Sequence, residues 1–405
     1  MKRTFIQFAL IAAVISVAYA GVAFTSAKIY KKQGDFAKAM EFYDQAAVEE
    51  SDNLDVFFER GELLGMIAME PANIGLRKKI AGDAENPQLA VIKMMLSDFD
   101  VLRAKEDDKK AKKHLKDIDK IIEGYWWDFY SIAVDADSIY RAKAESGNTE
   151  GIEKDITKGL AAASVANLLD PNNWSSRFVY AQLKGYQEKD SSFVDAWQNA
   201  IMALEGSELK KKEPENFGNN MRYANLQLIQ YYYSGEDYLN TLRIADRLLS
   251  NEPGLIDAVQ YKAYALATLA NDESRPEAQR DSLKHVALEA LTHAKDSNQD
   301  DENIVYYIGQ FNLQLKDTAA ALTAFDEYLS KVPDDGVVLA IEGVIYLEGE
   351  KFSDLNKAIE KLRAAKEADP ENGAFWTNYG IALLRNGQNE EGAAAMAKGA
   401  ELSEN

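Results

Sequence analysis

The sequence predicts an all-α chain built from repeated helix–turn–helix units. The chain has 405 residues, of which 46% are hydrophobic, and only 24 glycines and 8 prolines. This composition is too apolar for a disordered chain and supplies enough side chains for a packed core. Small and large residues also recur at a spacing of about 34 residues, the length of one helix pair in several repeat proteins.

The charge of the chain excludes several classes of partner. There are 46 basic and 66 acidic residues, which give a formal net charge of −20. Such a charge repels a phosphate backbone and an anionic bilayer surface, so no nucleic-acid partner is predicted. The chain has no cysteine. It therefore has no disulfide, thiolate metal site, cysteine nucleophile or acylated lipoprotein cysteine.

The N-terminus has the features of a bacterial export signal. Lys2 and Arg3 precede an apolar run, and Ala18 and Ala20 are the small residues that a signal peptidase requires. Cleavage after Ala20 is favoured. The alternative is an uncleaved anchor over residues 4–24, because the run is about as long as the ~20 residues that cross a bilayer. Both interpretations place the rest of the chain in the periplasm or cell envelope.

The clearest repeat is the last one, residues 372–404. Towards the N-terminus, Gly309, Gly343 and Gly380 are 34 and 37 residues apart, so the period is preserved with short insertions. A small residue at a helix crossing allows two helices to approach closely. In the last copy the aromatic, leucine, methionine and small residues that define the pattern are Trp376, Tyr379, Gly380, Leu383, Gly392, Met396 and Gly399.

This pattern resembles the tetratricopeptide repeat, a helix–turn–helix unit of about 34 residues. A second close match begins at the turn at Gly34 and continues through Ala39, Tyr43 and Ala46. The resemblance implies an all-α, right-handed superhelical solenoid. It also implies a concave groove that binds proteins or peptides, and no catalytic activity.

The repeat pattern divides the chain into three predicted segments. Residues 1–20 form the signal peptide or N-terminal membrane anchor. Residues 21–170 carry N-terminal repeats with an irregular helical insert, since residues 71–123 fit the pattern poorly. Residues 171–405 form the C-terminal repeat array, in which insertions are confined to loops.

The resemblance also identifies candidate groove positions on the first helix of each repeat. In the C-terminal repeats only Asp257 is charged among them, and one repeat has Val337, Ala340, Val344 and Leu347 at these positions. The groove is therefore expected to be neutral, aromatic and apolar, and to suit an amphipathic helix or an extended apolar peptide. The alternative is that superhelical curvature buries these positions as core. The candidate protein-binding residues are Tyr233, Gln260, Tyr264, Tyr306, Gln310, Thr377 and Asn378.

No cofactor, metal or catalytic site is predicted. His114, His285 and His293 are too few and too scattered for a metal cluster, and residues 296–300 match only half of a calcium loop. No phosphate-binding loop and no paired acid and base appear. The aromatic run over residues 125–130 could stack on sugars, but six consecutive helical residues point in all directions, so packing between helices is favoured.

These observations predict a noncatalytic scaffold that mediates protein–protein interaction and complex assembly in the bacterial cell envelope. The alternative function is a glycan-binding or polysaccharide-export accessory protein. An enzyme is the least favoured class. The oligomeric state stays open, because the end of a solenoid can either stack on another copy or face solvent.

Overall fold

A computed structural model describes residues 21–187, 189–272, 274–297, 302–349 and 351–403. Across these ranges the chain is helical and contains no strand, which confirms the predicted all-α helical repeat fold. None of the helices in these ranges is long and apolar enough to cross a membrane. The predicted export segment, residues 1–20, lies outside the described residues.

The first compact unit ends at Ala224. Its helices pack mainly as antiparallel neighbours along the chain, and a short 3₁₀ turn at Pro71–Asn73 precedes α4. The helices are α1 (Val22–Gln33), α2 (Phe36–Glu49), α3 (Leu54–Met69), α4 (Ile74–Ala81), α5 (Pro87–Arg103), α6 (Lys109–Glu145), α7 (Ile152–Leu169), α8 (Trp174–Lys184), α9 (Ser191–Glu205), α10 (Leu209–Lys212) and α11 (Pro214–Ser234).

The second compact unit begins at Asn225, within α11. The predicted segment boundary after residue 170 falls in the loop between α7 and α8. The remaining helices are α12 (Tyr238–Asn251), α13 (Ile256–Asn271), α14 (Glu277–Ser297), α15 (Glu302–Gln314), α16 (Thr318–Lys331), α17 (Gly336–Glu348), α18 (Leu355–Ala368), α19 (Gly373–Arg385) and α20 (Asn389–Ser403).

The same turn joins the two helices of several repeats. One residue adopts a positive φ angle before the second helix begins: Gly34 at 79°, Glu236 at 58°, Lys316 at 64° and Gly387 at 80°. In three of the four turns the next residue is an aspartate whose side chain accepts a hydrogen bond from a backbone N–H in the first turn of the helix. Left-handed backbone ends the first helix, and the aspartate caps the second.

Glycines at the helix crossings confirm the predicted close approach. A Cβ added to Gly309 on α15 would lie 2.5 Å from a ring carbon of Phe325 on α16. A Cβ added to Gly343 would lie 2.5 Å from Cγ of Leu362, and one on Gly380 would meet Met396 at 2.7 Å. The recurring glycine therefore marks the point where each first helix crosses its own second helix.

The irregular insert is helical, as expected, and includes the start of a single long helix. α6 has 37 residues and continues well beyond the insert. Its aromatic run points in all directions: Phe129 is fully buried and Trp126 is 7% exposed, whereas Trp127 is 55% exposed. Most of this run packs between helices, but Trp127 does not.

Candidate functional site

Three successive first helices of the second unit, α15, α17 and α19, line a groove of about 550 Å³ together with Thr318 at the start of α16. We call it the apolar groove. Glu348 is the one charged residue among those that line it, and Val337 at its edge is 53% exposed. The lining residues are Leu313, Thr318, Val337, Ala340, Ile341, Val344, Ile345, Glu348, Gly349, Phe375 and Asn378.

The helix at the centre of the apolar groove, α17, is held at its N-terminus by Asp335. The Asp335 carboxylate accepts hydrogen bonds from the N–H groups of Val337 at 2.9 Å and Val338 at 3.1 Å. The hydroxyl of Tyr328 donates to its other oxygen at 2.8 Å. Burial and this hydrogen bond raise the pKa of Tyr328 to about 12. The phenol is therefore neutral and serves as a donor that fixes the helix cap.

The face of α17 opposite the apolar groove carries a buried ion pair. Glu342 is fully buried, and Nζ of Lys361 on α18 lies 2.5 Å from its Oε2. Asp326 on α16 lies 3.6 Å from the same Nζ. Burial raises the pKa of Glu342 despite the opposing effect of Lys361. Burial lowers the pKa of Lys361, but the contacts of its ammonium group with the two carboxylates outweigh burial and raise the pKa.

A row of aromatic rings, which we call the tyrosine ladder, links α11, α13, α15 and α16 within the second unit. The ring centroids of Tyr233 and Tyr264 are 6.2 Å apart, and those of Tyr264 and Tyr307 are 4.9 Å apart. Tyr307 meets Tyr306 at 5.4 Å, and Tyr306 meets Tyr328 at 5.6 Å. Edge-to-face and tilted contacts at these distances stabilise neighbouring rings.

The seven predicted groove residues are all partly exposed, neither core nor fully open to solvent. The structure brings Tyr233, Tyr264 and Tyr306 into the tyrosine ladder. Nε2 of Gln310 donates to the hydroxyl of Tyr306 at 3.3 Å. Gln260 is one turn from Tyr264 on α13.

The two predicted residues on α19 point to different neighbours. Asn378 lines the apolar groove. Thr377 does not: its hydroxyl donates to the carbonyl of Gly373 at 2.9 Å, and a Cβ on Gly399 of α20 would overlap it. Thr377 therefore packs at the crossing of α19 and α20, because glycine at position 399 allows the helices to approach there.

Sequence reasoning missed several residues of this surface. Tyr307 connects the two halves of the tyrosine ladder, and burial raises the pKa of its phenol. Ile341, Ile345 and Phe375 line the apolar groove beside the predicted positions. Each lies one or more residues away from a groove position in the repeat register.

In the described part of the chain no group of three acidic or histidine side chains could hold a metal ion.

Helical hairpins that repeat with a glycine at the crossing and a left-handed residue at the turn define a helical-repeat protein. The family model of the tetratricopeptide repeat matches residues 350–405. Residues 350–405 are thus assigned to the tetratricopeptide repeat, as the glycine and aromatic spacing there predicted, and the rest of the described chain shares the helical-repeat fold. Proteins with this repeat generally act as scaffolds for protein–protein interaction.

Among curated proteins, the chain is 26% identical over 131 residues to the BBSome complex member bbs-4 of Caenorhabditis elegans. That match covers 25% of this chain and 28% of the relative, so the chain spans under a third of the relative's length.

Among solved structures, MamA residues 41 to the end from Desulfovibrio magneticus RS-1 are 19% identical, covering 44% of this chain and 93% of that one, at a TM-score of 0.38. YrrB, a tetratricopeptide-repeat protein with an unusual peptide-binding site, is 13% identical. The match covers 44% of this chain and 84% of YrrB, at a TM-score of 0.36. The Cut9–Hcn1 structure is 17% identical, covering 100% of this chain and 86% of that one, at a TM-score of 0.34. We infer no partner from TM-scores this low.

Proposed function

We propose that this protein is a noncatalytic scaffold whose apolar groove binds the apolar face of an amphipathic segment of a partner protein. The observation that carries the proposal is the lining of the groove, in which Glu348 is the one charged residue. Water gains freedom when such a surface is covered, whereas a charged tail would lose its hydration without a counter-charge.

The size and shape of the apolar groove fit a peptide segment. Its volume of about 550 Å³ lies within the range of about 300–1,000 Å³ that is typical of ligand sites. An amphipathic helix presents anchors at every third or fourth residue, and a groove between parallel first helices accepts such a row. Asn378 in the lining, and the phenols of the neighbouring tyrosine ladder, supply hydrogen bonds that would orient the bound segment.

Substitution at the rim of the apolar groove tests this proposal. Val337→Lys places a charge in the groove at an exposed position, and Leu239→Lys is the matched control, because Leu239 on α12 is 70% exposed and is not a lining residue. Crosslinking in living cells, capture of each variant and quantitative mass spectrometry would measure partner recovery. We expect V337K to lose a partner that L239K retains. Equal recovery by both variants, at equal helicity, would refute groove binding.

We further propose that the protein acts in the bacterial cell envelope after removal of residues 1–20. One contact supports this: the backbone N–H of Gly21 donates to Oε1 of Glu50 at 2.9 Å. Cleavage after Ala20 would convert that amide into an ammonium group beside a carboxylate, which is a favourable pairing. Mass spectrometry of the N-terminus from fractionated cells tests this. A chain that begins at Met1 in the cytoplasmic fraction would contradict it.

A further inference from the structure

A second site, with different chemistry, lies in the first compact unit. A cleft of about 790 Å³ opens beside α6, and the indoles of Trp126, Trp127 and Trp174 line it. We call it the tryptophan cleft. The rings of Trp126 and Trp127 meet nearly edge to face, with centroids 4.9 Å apart and an interplanar angle of 79°. Because Trp127 is 55% exposed, its indole face is available to a ligand.

The tryptophan cleft carries an excess of negative charge. Asp119, Glu123 and Trp127 are each one turn apart on α6, so two carboxylates and the exposed indole form one stripe of that helix. Three further acids and one lysine come from the facing segments, which leaves the lining with a net formal charge of −4. These four residues are Asp170, Glu208, Lys212 and Glu213.

The ion pairs of the cleft acids are exposed, and Asp170 and Glu213 in addition accept hydrogen bonds from neighbouring asparagine side chains at 3.2 and 3.1 Å. Asp119 is 77% exposed and lies 3.7 Å from Arg103. Glu208 lies 3.2 Å from Lys211, and both side chains are exposed. Exposed pairs of this kind contribute about 0–1 kcal/mol, so a ligand can displace them. Glu123 forms no ion pair with any residue of the described ranges.

The combination of exposed indole and surplus carboxylates selects a cation that can also stack. A guanidinium group does both, because it is planar, always charged and weakly hydrated. Nε1 of Trp126 is buried without a hydrogen-bond partner in the described structure, and a peptide carbonyl is an acceptor for such a donor. A neutral sugar could stack on Trp127 but would leave the carboxylates unneutralised, and a free polyamine has no acceptor for the indole.

We propose that the tryptophan cleft binds an arginine-containing basic segment of a partner protein. The guanidinium stacks on Trp127 and pairs with carboxylates from both walls, which include Glu123 and Glu213. This site is separate from the apolar groove in residues and in ligand charge. A scaffold with both sites would hold an apolar segment in one unit and a basic segment in the other.

The test is fluorescence anisotropy of the full chain with a labelled peptide of alternating arginine and serine. We expect binding that weakens with added salt, and about a tenfold loss of affinity in Trp127→Ala. The double variant Glu123→Gln/Glu213→Gln should lose at least as much. Glu390→Gln/Glu391→Gln is the matched control, because it removes the same charge from exposed positions on α20. Val337→Lys should bind the peptide like the wild type, so a failure of the groove proposal would not affect this result.

Three results would overturn the proposal. The first is unchanged affinity in Trp127→Ala, with helicity confirmed by circular dichroism. The second is an equal loss in the two glutamate double variants, since that would indicate attraction to the net charge of the chain and not to the cleft. The third is binding of spermine or of a neutral oligosaccharide that Trp127→Ala abolishes, with no binding of the arginine peptide, which would assign the cleft to a free polyamine or a glycan.

Discussion

The carboxylate of Glu342 is fully buried in α17, and its charge is balanced by Nζ of Lys361 on α18 at 2.5 Å. Neither oxygen of Glu342 has a hydrogen bond of good geometry in the described structure, so this ion contact carries the compensation. The pair lies directly behind the apolar groove, whose lining residues Ile341 and Ile345 flank Glu342 on the same helix. The pair therefore fixes how α17 presents those residues.

Removal of the lysine should destabilise this part of the second unit. Lys361→Met leaves Glu342 buried without its counter-charge. We expect the free energy of unfolding to fall by about 2–3 kcal/mol at neutral pH, less than for a fully enclosed pair because Lys361 is itself partly exposed. Hydrogen exchange of peptides from α17 would measure this loss. The double variant Lys361→Met/Glu342→Gln should recover most of the loss, since no buried charge remains.

The loss in Lys361→Met should also depend on pH. Burial raises the pKa of Glu342 in the folded protein above its unfolded value. A carboxyl of this kind contributes stability below its unfolded pKa, and that contribution is lost as the pH rises through the folded pKa. Without Lys361 the folded pKa rises further. The stability of the variant should therefore approach that of the wild type as the pH falls towards about 4.3. An equal loss of stability at neutral pH and at this lower pH would contradict a buried, charged Glu342.

The tyrosine ladder should tolerate the loss of a hydroxyl but not the gain of a charge. Tyr306→Lys places an ammonium among the rings of Tyr307 and Tyr328, whereas Tyr306→Phe keeps the ring and removes only the bond from Gln310. If the ladder helps to bind the partner, capture of the partner from crosslinked cells should be lost in Y306K and kept in Y306F. The same comparison at Tyr264 provides an independent check.

The left-handed turn at Lys316 should accept glycine. Lys316 has a φ of 64°, a conformation that costs a residue with a Cβ about 1–2 kcal/mol, while glycine loses more entropy on folding. We expect Lys316→Gly to stabilise the second unit by up to about 1 kcal/mol. Glu360→Gly, within α18, is the control and should lose about 1 kcal/mol. Urea unfolding of both variants measures the difference, and a loss in both would contradict the turn geometry.

Two glycines of the first unit should respond in opposite directions to alanine. A Cβ on Gly61 would lie 2.5 Å from a ring carbon of the fully buried Phe99, whereas one on Gly124 would meet open space. Gly61→Ala should cost about 1–3 kcal/mol by overpacking. Gly124→Ala should gain about 1 kcal/mol from helix propensity. Thermal unfolding compares them, and stabilisation by both substitutions would show that the crossing of α3 and α5 is not close.

The contact between Gly21 and Glu50 should become an ion pair in a chain that begins at Gly21. In a chain that begins at Gly21, Glu50→Gln should cost about 0.5–1 kcal/mol, because it removes the partner of the new ammonium group. Acetylation of that terminus serves as the control and should reduce the cost. If blocked and free chains respond equally, the ammonium contributes nothing to the contact.

The sequence by itself determined the helical hairpins and placed several apolar residues on one face of a first helix. The spacing of Gly309, Gly343 and Gly380 could be read directly, because only a residue without a side chain permits the helices to cross so closely. The repeat register that the resemblance implies placed Val337, Ala340 and Val344 on one face of their helix. These features depend on local geometry that recurs in several repeats, which is why one chain was sufficient to predict them.

Only the tertiary structure decided which side chains meet. Thr377 and Asn378 are adjacent in the sequence, yet the first packs against Gly399 and the second lines the apolar groove. The pairing of Glu342 with Lys361 and the grouping of Trp127 with Glu213 likewise join residues far apart in the chain. Helical periodicity assigns a residue to a face, but the neighbouring helices determine whether that face is covered, ion-paired or open to a ligand.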